Sequence, residues 1–140
     1  MSLRSKRSVV ALLTMVCITG AADAAGDLVL GRRLFEDGLN ARGELVRALT
    51  GMPPSPLVGA QAACGACHGS DARGSAAAPD IRWKALAISG AAAAYSERSF
   101  ARAVSEGLGP SNTLLSTAMP RYSLSNPELA AIAAYLRSLP

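Results

Sequence analysis

"AACGACHGSDARG", residues 62–74, is the stretch on which the reading of this chain turns. It holds His68, the only histidine in 140 residues, and sets two of the three cysteines so that Cys64-Gly65-Ala66-Cys67-His68 spells C-x-x-C-H. Cysteines three positions apart on one helical turn face the same side. The imidazole follows them directly, and Gly65, Ala66 and Gly69 keep the segment slim and free to turn away.

The N-terminus says where those thiols would work. Arg4, Lys6 and Arg7 precede an apolar run from Val9 to Ile18, and Ala22-Asp23-Ala24 offers an A-x-A cleavage site. This is the pattern of a secretory signal peptide, residues 1–24. Ten apolar residues are too few to span a bilayer, which takes about 20 in a helix. No membrane anchor is therefore expected after cleavage, and Cys17 leaves with the signal. Losing Arg4, Lys6, Arg7 and Asp23 from 14 basic and 10 acidic side chains leaves 11 and 9, so the charge drops from +4 to +2. No basic stripe remains of the kind that marks a nucleic-acid binder. Residues 25–140 fit one small domain. With six aromatics, the domain has a thin core of its own unless something large and flat fills it.

For an exported cysteine pair four chemistries compete. A disulfide between residues three apart closes too short a loop to stabilise much. A redox dithiol expects a strand leading into a helix, and the flanks here are alanine-rich. A zinc site takes four ligands, and only three Cys or His residues survive cleavage. C-x-x-C-H is the attachment signature of c-type haem. In that chemistry the Cys64 and Cys67 thiols add to the two vinyl groups of the porphyrin, and His68 comes beneath the iron as axial ligand.

Helical periodicity appears in Asp27 to Gly38, with Leu28, Gly31, Leu34 and Phe35 in step, and in a short segment from Ala60 to Cys67. A third helix is expected over Ser96 to Gly107, with Phe100, Ala103, Val104 and Gly107 on one face. The last is the clearest: Ser125-x-x-Glu128 is a capping box with Pro127 in the first turn, followed by the stripe Leu129, Ile132, Ala133, Leu136 and Leu139. A turn of helix is expected near Trp83 to Ile88, and only Glu44 to Leu49 hints at a strand. The expected fold class is all-α, about four helices wrapped around one covalently bound cofactor.

These residues resemble class I c-type cytochromes from about Asp27 to Leu139. Gly31 and Phe35 resemble the family's contact where its first helix crosses its last, with Tyr135 and Leu136 as counterparts. CGACHG at 64–69 is the attachment motif, and MPRY at 119–122 resembles the distal methionine motif. The resemblance implies one covalent haem c with His68 and Met119 as axial ligands of the iron, and no catalysis of its own. It implies a periplasmic one-electron carrier or electron-transfer subunit. The partners would be a redox donor and acceptor: a dehydrogenase, an oxidase or another cytochrome. The competing function is a haem enzyme or ligand sensor with an open iron position, for which no second histidine is available. Of four methionines, Met1 and Met15 leave with the signal, and Met52 lies on the wrong side of the attachment motif for the family's topology. The resemblance also names pocket candidates. The carbonyl of Pro79 is either the partner of His68 or part of an ordinary loop. Arg82 and Trp83 either reach a haem propionate or, for Trp83, pack in the core. Tyr122 either covers the distal edge or packs at the start of the last helix. One departure stands out: Leu39 to Gln61, rich in proline, intervenes before the attachment motif and reads as a surface insert, hairpin or flap.

Overall fold

The computed structural model describes residues 20–88 and 93–140, with side chains from Asp27 onward. The run of residues 1–19 lies outside it, so the body of the expected signal peptide is not described. The first helix, α1 (Gly20–Glu36), runs through the expected cleavage point, and cleavage after Ala24 would leave Ala25 to Glu36 of it.

α1 packs against the last helix, α5 (Asn126–Ser138). The absence of a side chain on Gly31 sets how closely they approach, since a Cβ there would sit 2.1 Å from the Ala131 carbonyl oxygen. One turn on, the Phe35 and Tyr135 rings meet at 5.3 Å, and the Tyr135 hydroxyl donates to Glu36. α5 is buried on two faces: Ala131 and Tyr135 meet α1, while Leu129, Ile132, Ala133 and Leu136 form the expected stripe, whose last member, Leu139, lies just past the helix and is half-buried. Full burial of side chains such as Phe35, Ile132 and Leu136 stabilises by about 1.5–3 kcal/mol each. At the start of α5 the Ser125 amide and hydroxyl both donate to Glu128.

α4 (Glu97–Glu106) begins at the reciprocal Ser96–Ser99 capping box and ends at Gly107 in the left-handed conformation. Its Phe100, Ala103 and Val104 are buried as their spacing predicts. α3 (Trp83–Ala87) is the expected short turn. The segment expected as one helix from Ala60 to Cys67 is broken at Ala63, which is extended: a 3₁₀ turn (Gly59–Ala62) precedes α2 (Gly65–His68). Gly65 lies against Phe35, so α2 is seated directly on α1.

The all-α expectation needs correction. The described residues form five helices, not about four, and a three-stranded antiparallel sheet of order β2-β1-β3. β1 (Arg47–Thr50) and β2 (Ser55–Val58) form a hairpin within the 39–61 segment. Its turn holds Pro53 and Pro54, which deny a helix its backbone donors. β3 (Arg121–Tyr122) adds to the other edge of β1, pairing Ala48 with Tyr122 and Leu49 with Arg121. The 39–61 segment is more than an appendage, because Val46 and Ala48 belong to the buried core. Glu128, at the start of α5, also accepts from the Ala41 amide.

Candidate functional site

Cys64 and Cys67 sit at either end of one helical turn, with the Cys67 and His68 amides both donating to the Cys64 carbonyl. Neither thiol is bridged; Cys64 is half-buried and Cys67 exposed. Desolvation pushes the Cys64 thiol up to about 11. No three of His, Cys, Asp and Glu converge on a metal position among the described residues.

His68 is buried, and its Nδ1 lies 2.8 Å from the Pro79 carbonyl oxygen. A carbonyl can only accept, so Nδ1 carries the proton and the Nε2 lone pair is left for a metal. The loop after α2 is built to bring that carbonyl back. The Gly74 amide donates to the His68 carbonyl, the Ser75 hydroxyl to the Cys67 carbonyl, and the Ile81 amide to the Ala72 carbonyl. Gly74 lies so tightly under Ala78 and Pro79 that a Cβ would come within 2.7 Å of their backbone.

The other candidates divide. Tyr122 is buried in β3 and donates to the Ala62 carbonyl at 2.9 Å, so it backs the turn that leads into the attachment motif. Arg82 is already committed: its guanidinium holds both Asp80 oxygens and donates to the Pro140 carbonyl. Asp80 is consequently held down at about 2. The Trp83 ring packs edge-on against Phe100 at 5.9 Å, with Arg137 stacked 4.0 Å over it. Met119 is half-buried in the loop before β3, whereas Met52, 82% exposed, sits at the hairpin turn.

Arg121 was not singled out by sequence, yet it grips this loop: its Nη1 donates to the Met119 carbonyl and its Nη2 to those of Leu115 and Ser116. The signal was its place two residues after the methionine in MPRY.

An open cleft of about 1360 Å³ lies elsewhere, lined by the hairpin with Tyr122, Leu124 and Glu128, and includes neither cysteine, His68 nor Met119. Thioether chemistry decides between the two places, since a covalently held ring cannot leave Cys64 and Cys67. Two unbridged thiols on one turn beside a histidine whose Nδ1 is already satisfied form the donor set that haem c requires.

Comparison with protein families matches residues 58–140 to the family described as Cytochrome c. The match begins at the end of β2, so α1 and most of the hairpin lie outside it. Comparisons with curated proteins and with solved structures found no match. With more than half its length matched and the attachment motif inside the match, the chain belongs to the cytochrome c family.

Proposed function

We propose that this cytochrome c is an exported one-electron carrier, free or as a subunit of a larger redox assembly, with His68 and Met119 as axial ligands. The family carries covalent haem c and serves electron transfer. The bound haem supplies an iron that accepts and releases one electron. Cys64 and Cys67 keep the cofactor from being lost, which matters outside the cytosol. His68 donates its Nδ1 proton to Pro79, which fixes the ring and makes Nε2 a better donor. This 2.8 Å contact is the observation that carries the reading. The soft thioether of Met119 suits ferrous iron and favours a relatively high potential. With His68 and Met119 both holding the iron, the bound group would change little between oxidation states, as a carrier needs.

The signal-like N-terminus supports a periplasmic location, and no helix among the described residues is long and apolar enough to cross a membrane. The partners fit a redox donor and acceptor such as a dehydrogenase, an oxidase or another cytochrome, meeting this chain over a small interface. The weak near-infrared band of an iron–sulfur bond in the oxidised protein tests the ligand set. Met119→Ala should abolish it and lower the potential, and Met52→Ala should do neither. The opposite pattern would make Met52 the ligand and refute this arrangement.

A further inference from the structure

Five consecutive carbonyls, those of residues 115–119, are each held by a donor, and the donors come from two directions. Arg121 takes Leu115, Ser116 and Met119 with the two arms of its guanidinium. The hairpin takes the two between: the Gly51 amide donates to the Thr117 carbonyl at 2.8 Å, and the Thr50 hydroxyl to the Ala118 carbonyl at 3.0 Å. Arg121 pairs with no carboxylate among the described residues, so its donors are spent on the loop. Space for it is reserved by Gly107, where a Cβ would fall 1.9 Å from Arg121 Nε. The Gly107 carbonyl also accepts from the Leu115 amide, closing the start of the loop.

We infer that Arg121 and Thr50 are positioning residues that clamp the 115–119 loop from opposite sides and so hold Met119 at its ligating position. This inference rests on Met119 being the sixth ligand. A loop fixed at one carbonyl could still swing its side chain aside; one fixed at five, by the hairpin and by Arg121, is held against that swing. The hairpin that precedes the attachment motif thereby acquires a task on the methionine side.

The test is displacement of the methionine by imidazole in the oxidised holo-protein, read as loss of the near-infrared band. Arg121→Gln removes a charged donor from three carbonyls and should lower the half-displacing imidazole concentration about 10- to 100-fold. Arg121→Lys, with one ammonium in place of a planar fork, should recover only part of this. Thr50→Val keeps the strand and removes one donor, for a drop of about 3- to 10-fold, and Thr50→Ser should restore the original value. Gly107→Ala should mimic Arg121→Gln. Gly43→Ala, equally left-handed at φ 77° but with only a 3.5 Å neighbour, should leave displacement unchanged. If Arg121→Gln fails to take up haem, the Thr50 pair decides alone. An intact band in the unaltered protein with unchanged displacement in Thr50→Val and Arg121→Gln overturns the clamp and leaves ligation standing. Absence of the band from the unaltered protein overturns ligation by Met119, and the clamp with it.

Discussion

Replacing Gly31 by alanine separates packing from propensity, because the two predict opposite signs. In a helix interior alanine is favoured over glycine by about 0.8–1.0 kcal/mol, so propensity alone predicts a more stable protein. Gly31, however, lies where α1 crosses α5, with the Ala131 carbonyl oxygen 2.1 Å and the Tyr135 Cβ 2.8 Å from the position of an added methyl. Ordinary contact begins at about 3.4 Å, so the helices must separate by more than 1 Å. The obstacle is helix backbone, which cannot rotate aside as a side-chain tip would. Separation would also open the 5.3 Å contact between Phe35 and Tyr135. Overpacking of this kind costs about 1–3 kcal/mol, and here the upper end applies. After the gain in propensity, the net loss is about 2 kcal/mol. For a domain of this size that lowers Tm by roughly 6–10 °C. Thermal unfolding of the haem-loaded protein, followed by far-ultraviolet circular dichroism, measures it directly. An unchanged or raised Tm would show that the helices do not cross at Gly31.

Two further outcomes are expected. The Asp80 carboxyl, held at about 2 by Arg82, contributes stability that is complete above the ordinary carboxylate range near pH 4 and lost as pH falls toward 2. Asp80→Asn should therefore cost about 1–2 kcal/mol at neutral pH, allowing for solvent screening. Its urea midpoint should converge with that of the unaltered protein near pH 2, and a constant difference down to that pH would refute the pair. The purified, acid-acetone-extracted protein should carry the mass of one haem, with neither Cys64 nor Cys67 open to alkylation; an alkylated Cys64 would contradict attachment at both thiols.

What could be read from sequence was what lies close together in it. The attachment motif is contiguous, so its chemistry is visible in five letters. The final helix announces itself through its cap and its stripe. The sheet was nearly invisible for a definite reason. Alternation in β1 puts Leu49 outward at 53% exposure and the small Ala48 inward, the reverse of the expected hydropathy pattern. β3, at two residues, is too short to have a period. Arg82 looked free to meet a propionate because nothing in composition shows that Asp80, two residues earlier, already holds it. The grip on the methionine loop was hidden more deeply. Its acceptors are backbone carbonyls, which every residue has, and Thr50 lies 68 positions from the Ala118 it serves.

On the proposed reading, His68 and Met119 fill both axial positions of the iron, and the protein moves electrons without handling a substrate there. Titrating the reduced protein with carbon monoxide at neutral pH tests it most directly. A carrier with Met119 bound should keep its visible spectrum almost unchanged under saturating gas, while Met119→Ala should form the complex stoichiometrically. Stoichiometric binding by the unaltered protein would contradict the account and place it among haem proteins that leave the iron open for a ligand.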